Sequence, residues 1–276
     1  MLDVLRSGLV LAAIGGSFAL TYQLGYVNLA FGDVIVFGGT LAWWVYRLSG
    51  GSLQSISGGS LLAAASAAAV AGAACNLLVH RGVLDPLLQR SMRMPQVLAS
   101  LGVSLILSSA TGLLFGVQQR NLPIPQVVMT LGGSVLRASD IGLLALLLIA
   151  FTVLRSGRWL LPYQAAASNR ALAGLWGVEL GSLSFNVALM SGAVAGLLGC
   201  HMILSESVRP GAGIERMLLA FAGVLVGRPS GLRGMLLGSF GVGVGHHALA
   251  ILIAPWFSML GVLFAVGVIL LVRREA

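Results

Sequence analysis

The sequence predicts an all-α fold: a polytopic transmembrane helical bundle of about 8 to 9 spans with broken Gly-rich helices, a single domain over residues 1–276. Three observations predict it. First, 58% of the 276 residues are hydrophobic, only 9% are charged, and the mean hydropathy is +0.98. A soluble domain carries roughly 25% charged residues on its water-facing surface, so this chain cannot cover itself in water. Disorder is excluded by the same numbers, because disordered segments are polar and highly charged. Second, the apolar residues arrive in blocks of roughly the 20 residues that a bilayer crossing needs. Helices in such blocks satisfy their own backbone hydrogen bonds inside lipid. Third, 38 glycines are present, many at the four-residue spacing that lets membrane helices approach closely.

The blocks run over residues 5–22, 33–48, 60–79, 96–116, 139–155, 183–204 and 249–272. The first is read as a retained span, since more membrane sequence follows it and no soluble mature chain. Between residues 214 and 245 lies a Gly-rich apolar stretch interrupted by Gly227-Arg228-Pro229-Ser230-Gly231. It is long enough for two short or broken helices and leaves the count between eight and nine. Residues 117–138 place Pro123, Pro125, Gly132 and Gly133 around Val127-Val128-Met129. That composition fits a small hairpin, a cap over one mouth of the bundle, or a plain solvated loop. Close helix packing is expected at Gly192 and Gly196, at Gly223, Gly227 and Gly231, and at Gly234 and Gly238.

The net charge is +8, and all sixteen basic residues are arginine. Without lysine there is no Walker A lysine and no Schiff base. Ten arginines (81, 90, 93, 155, 158, 170, 228, 233, 273, 274) fall on one side of alternating crossings and six (6, 47, 120, 137, 209, 216) on the other. The positive-inside rule then puts the larger set in the cytoplasm, with the N-terminus outside and the C-terminus inside.

Little points to catalysis. Cys75 and Cys200 stand far apart in apolar blocks and read as structural thiols. The adjacent His246 and His247 point apart on a helix and make a poor metal site. There is no H-E-x-x-H, no serine in a G-x-S-G frame and no pair of intramembrane aspartates, so the chain reads as no enzyme, with no cofactor and no metal. Intramembrane polar groups are costly and therefore informative. Asn28 and Asp33 lie beside Gly25 and Gly32, where the backbone need not be helical. Asp33 fits an N-cap of the second helix or a group lining a polar interior, and the two roles are compatible. His201, Glu206 and Arg209 suggest an interfacial ion pair, and Glu215 suits the first turn of a Gly-rich helix.

Several segments, taken in order, resemble the permeases of the branched-chain amino acid ABC importer family. These are the Gly-rich opening Gly8–Gly39 with Asn28-Leu29-Ala30-Phe31-Gly32-Asp33, then Ala99-Ser100-Leu101-Gly102-Val103-Ser104-Leu105-Ile106-Leu107, and Leu114-Phe115-Gly116. Gly157-Arg158, Ala171-Leu172-Ala173-Gly174-Leu175-Trp176-Gly177-Val178, Ser191-Gly192-Ala193-Val194-Ala195-Gly196-Leu197-Leu198-Gly199 and the Gly-rich stretch from Ala220 to Gly238 follow. Two positions depart from the family pattern: Phe31 stands where His or Gln is usual, and Leu161-Pro162 where Arg-Ala is common.

The resemblance implies a permease subunit that moves a small polar solute, a branched-chain or other amino acid, across a bacterial inner membrane. Its implied partners are a second homologous permease, two cytoplasmic ATPase subunits, a periplasmic solute-binding protein, the small-molecule substrate and membrane lipid, with no nucleic acid. The translocation path or gate is expected at Asn28, Gly32, Asp33, Gly223 and Gly227. An ATPase coupling loop is expected at Gln164, Ser168, Asn169, Arg170, Leu172 and Gly177, in a short helix after Pro162; a solvated amphipathic loop is the plainer reading of the same residues. An ion-coupled secondary transporter of small solutes is the alternative function, with Asp33 as its candidate coupling acid.

Overall fold

A computed structural model describes residues 2–50, 58–90, 92–122, 127–131, 134–156, 159–228, 231–253 and 255–275. Pro123, Pro125, Gly132, Gly133, Gly157, Arg158, Pro229 and Ser230 lie outside the described residues. Helix α1 spans Leu2–Gln23, α2 Phe31–Leu48 and α3 Gly58–Val79. A π-helical turn, His80–Leu84, carries α3 on into α4, Asp85–Gln89, so helix occupies much of the expected 80–95 loop. Then come α5 Arg93–Phe115, strands β1 Val127–Leu131 and β2 Ser134–Arg137, and α6 Ala138–Ser156. Helices α7 Leu160–Ser168, α8 Arg170–Leu175, α9 Leu180–Ser205, α10 Ala212–Gly227, α11 Gly231–Leu252 and α12 Pro255–Glu275 complete the chain.

The helical class is as the sequence predicts. Of the three readings of 117–138, the hairpin forms: β1 and β2 pair antiparallel, Thr130 opposite Val135 and Leu131 opposite Ser134. The run 249–272 is not one span. Helix α11 continues through His246 and His247 to Leu252, and α12 begins at Pro255. Proline is suited to the first helical position, which Pro255 takes in α12.

Among the described residues, five helices are long and apolar enough to cross a membrane: Leu2–Gln23, Gly58–Gln89, Met94–Phe115, Leu180–Ser205 and Gly231–Leu252, with a shorter apolar stretch at Phe257–Val272. Helix α2, at 18 residues, carries Asp33 and Arg47, and α10 has only 16 residues. Neither is among those five, α2 for its charge and α10 for its length.

Helices α1, α2, α3, α9, α10 and α11 pack together, and α5 leans on α2 from outside. Glycine makes these contacts possible. A Cβ at Gly196 would overlap the Ala68 carbonyl of α3, and one at Gly199 the Ile35 carbonyl of α2. Exposed apolar side chains such as Leu62, Val70, Leu105, Ile106 and Leu113 cover the outer surfaces of α3 and α5. In lipid that exposure carries no hydrophobic penalty, and van der Waals packing holds the helices together.

Arg6 and Asp140 pair at one end of the bundle, Nε to Oδ1 at 2.9 Å. Glu206 and Arg216 pair in the same region, facing the cavity that Arg6 also lines. The expected partnership of Glu206 with Arg209 is corrected: Arg209 turns to Glu215, 3.5 Å away. Glu215 itself occupies the first turn of α10, as its charge favours.

Candidate functional site: a buried polar segment and the helix pair that grips it

Helix α1 stops at a Schellman motif. The Tyr26 amide donates to the Thr21 carbonyl at 3.2 Å and the Gly25 amide to Tyr22 at 3.0 Å, with Gly25 at φ +93°. That left-handed conformation is open to glycine at no steric cost. From Leu24 to Ala30 the chain is neither helix nor strand, yet Tyr26, Leu29 and Ala30 are buried. Backbone amides at such depth must find partners within the protein.

Helix α5 supplies them from side chains. The Val27 amide donates to Gln96 Oε1 at 3.2 Å, and the Leu29 amide to Ser100 Oγ at 3.1 Å. One turn further on, Ser104 Oγ donates to Asp33 Oδ2. Gln96, Ser100 and Ser104 are buried and spaced by four, so they share one face of α5. On the opposite flank, Asn28 Nδ2 donates to Asn76 Oδ1 at 3.0 Å. Asn76 Nδ2 in turn donates to the Ala188 carbonyl at 2.7 Å and to Ser191 Oγ at 3.1 Å. A polar chain thus runs from the segment through α3 to α9. Asn28 Oδ1, Asp33 Oδ1 and Gln96 Nε2 are buried without a hydrogen-bond partner among the described residues.

The N-cap reading of Asp33 is corrected. Ala30 is the N-cap and makes no side-chain bond, while Asp33 lies in the first turn of α2. Its carboxylate faces Ser104 instead, an interhelical bond more useful inside the bundle than a local cap. Phe31 is buried with its ring 6.4 Å from that of Phe18.

Asn28, Gly32 and Asp33 therefore lie together, and Gly32 has a packing duty as well. A Cβ there would overlap the Gly213 carbonyl, where α10 starts. Gly223 and Gly227 belong to a different place. A Cβ at either would strike the backbone of α11, at Ser239 and Gly234 respectively. Gly238 meets the same crossing, whereas Gly231 has open space around it.

The residues expected in the coupling loop occupy a helix pair, not one helix. Helix α7 starts at Leu160, ahead of Pro162, which a first turn tolerates because no amide is needed there. Asn169, at φ −152° and ψ 100°, breaks the helix, and its Oδ1 accepts from the Leu172 amide at 3.0 Å to cap α8. Gly177, at φ +87°, closes α8 in a second Schellman motif, with the Val178 amide donating to Ala173 at 3.1 Å. Gln164, Ser168, Asn169, Leu172 and Gly177 are exposed, together with Leu161, Leu175 and Trp176. Arg170 is the exception. Its Nη1 donates to the Leu24 carbonyl and its Nη2 to the Tyr26 hydroxyl, both at 2.9 Å. The Tyr26 hydroxyl donates to Asp85 Oδ1 at 2.6 Å, and the Tyr163 hydroxyl donates to Leu20 and Gln23.

A cavity of 750 Å³ opens beneath α7, lined by Gln23, Gly25, Val27, Tyr163, Gln164 and Arg228 among others. At the Arg6 end, a second of 790 Å³ is lined by Arg6, Glu206, Glu215, Arg216, His246 and His247 above an apolar floor. Tyr26, Asn76, Asp85, Gln96, Ser100, Ser104 and Tyr163 were not singled out from sequence. Two signals pointed to them: a lone amide, Asn76, in an Ala-rich span, and a polar stripe every fourth residue in α5.

Membrane-length helices around a broken, side-chain-bonded interior define a multi-pass membrane protein with the general construction of a solute permease. The chain belongs to the family of branched-chain amino acid transport system permease components, whose family model matches residues 1–273. That family is one of transport components, not of enzymes. No curated protein matches. Among solved structures, PsaBC from Streptococcus pneumoniae in complex with Fab aligns with 98% of this chain and 88% of that chain, at 13% identity and a TM-score of 0.49.

Proposed function

We propose that the chain is the membrane-spanning permease subunit of an ATP-binding cassette importer, moving a small polar solute, a branched-chain or other amino acid, across a bacterial inner membrane. It works beside a second homologous permease, two cytoplasmic ATPase subunits and a periplasmic solute-binding protein. The end carrying Arg170 faces the cytoplasm and the end carrying Arg6 the periplasm, so the N-terminus is periplasmic and the C-terminus cytoplasmic. Helices α2, α6 and α12 join the five longer ones to give eight crossings, nine with the 16-residue α10, and the path runs by Asn28, Gly32 and Asp33, with Gly223 and Gly227 in the α10–α11 crossing that moves as a unit beside it.

The helix pair α7–α8 is the observation that carries this reading. Leu172, Leu175 and Trp176 project outward, the last two more than 80% exposed, on short helices at one end of the bundle. Exposed apolar side chains gathered in this way mark a protein contact. The ATPase docks there through the outward residues Gln164, Ser168, Asn169 and Leu172, with Gly177 ending the helix. Affinity purification of the tagged chain from its native membranes in mild detergent tests this. The expected result is co-purification of an ATPase, lost in Leu175→Glu and Trp176→Glu; a wild-type chain recovered without any ATPase overturns the reading.

A further inference from the structure

Besides the bond from the Tyr26 hydroxyl to Asp85 of α4, the segment 24–30 has two kinds of attachment. Toward α5 and α3 it is held by side chains: Gln96, Ser100 and Asn76. Such bonds can be exchanged for others without unwinding a helix. Spare groups for an exchange are at hand, since Asn28 Oδ1 and Gln96 Nε2 are a buried acceptor and a buried donor, each without a partner among the described residues. Toward α8 the segment is held by one guanidinium. Arg170 grips the Leu24 carbonyl and the Tyr26 hydroxyl at once, and lies over the Tyr26 ring with its carbon 5.1 Å from the centroid. These are charge-assisted bonds in a rigid fork, stronger and more directional than the amide–serine bonds on the far side. Gly25 and Val27 also line the 750 Å³ cavity, so the segment borders open space.

We propose that Arg170 is a positioning residue: it transmits displacement of the α7–α8 pair to segment 24–30, which then shifts against α5 and α3. This rests on reading α7–α8 as the ATPase contact, but assigns Arg170 to the inner face of that contact and not to the docking surface. A push on α8 moves Leu24 and Tyr26 first, because the fork yields last. The side-chain bonds to Gln96, Ser100 and Asn76 yield and re-form.

The test measures solute uptake and ATP hydrolysis in the same proteoliposomes, using the assembled complex with wild-type, Arg170→Gln, Arg170→Lys and Tyr26→Phe permease. Arg170→Gln is expected to assemble and to lower uptake per ATP hydrolysed by about tenfold, as losing a pair of charge-assisted bonds implies. Arg170→Lys keeps the charge and recovers part of the ratio, and Tyr26→Phe, which leaves the Leu24 bond, falls by less. An unchanged ratio overturns the proposal, and so does an Arg170→Gln permease that folds but no longer binds the ATPase. Hydrogen exchange on the permease alone separates this from the parent reading. Amides 25–29 should exchange about tenfold faster in Arg170→Gln than in wild type; equal protection overturns the tie even where no ATPase is found. Should Arg170→Gln not fold, the same exchange comparison on Arg170→Lys and Tyr26→Phe decides.

Discussion

Two parts of the interior bring chain segments together by opposite means. At the α10–α11 crossing, Gly223 and Gly227 meet Ser239, Gly234 and Gly238 backbone to backbone, with no room for a methyl group. Along residues 24–30, and again at Asp33, the chain is tied to its neighbours through side-chain hydrogen bonds, with a backbone contact of the first kind only at Gly32. The first contact has one arrangement, fixed by sterics. The second is made of hydrogen bonds of unequal strength, with three buried atoms that have no partner among the described residues. A rocking bundle needs both: a rigid crossing that moves as a unit, and a segment whose bonds rearrange around the path.

The largest effect should come from breaking the rigid contact. Gly227→Leu drives a side chain into the Gly234 carbonyl and is expected to cost about 3 kcal/mol or more. Thermal melts in detergent would show it, with Gly241→Leu as control, since that glycine has open space beside it. Asn76→Leu should come next. It removes bonds to Asn28, Ala188 and Ser191, each worth roughly 0.6–2 kcal/mol in a membrane interior. Equal melting temperatures for wild type and Asn76→Leu would remove the polar segment's claim to be held from α3.

Ser104→Ala takes away the donor to the buried Asp33 carboxylate, at about 1–3 kcal/mol. Asp33→Asn in the same background should restore part of the loss, because an amide brings its own donors. Strict additivity in that double-mutant cycle would mean the two residues do not interact.

The smallest effect is at the Arg6 end. Burial pushes the Glu206 carboxyl up, but the Arg216 guanidinium beside it, with Arg6 and His201, holds it below the usual range. A lowered acid stabilises the fold fully above its unfolded value, near pH 4.3, and loses that contribution as the pH falls through its folded value. Because the pair is partly exposed, Glu206→Gln should cost no more than about 1 kcal/mol at pH 7. The gap between the two proteins' melting temperatures should close on acidification.

The sequence made the class legible because composition and block length act on every residue. That Asn28 and Asp33 would be buried polar groups was legible too, since such groups beside glycine inside an apolar run are rare and expensive. Which helix answered them was not. Gln96, Ser100 and Ser104 look like ordinary small polar residues until α5 is laid against α2, and pairing between helices has no local signature. Arg170 shows the same limit from the other side: a loop arginine reads as a contact for an outside partner, and only the fold turns it inward. The break at Pro255 was hidden by the apolar residues on both sides of it, which a hydropathy window joins into one span.

ATP-driven uptake is the most direct test of the whole account. Proteoliposomes carrying this chain with its co-purified subunits, supplied with the binding protein and a radiolabelled branched-chain amino acid, should accumulate solute with ATP in the compartment holding the ATPase, and not without it. Uptake by this chain alone, driven by an ion gradient with no nucleotide present, would contradict it.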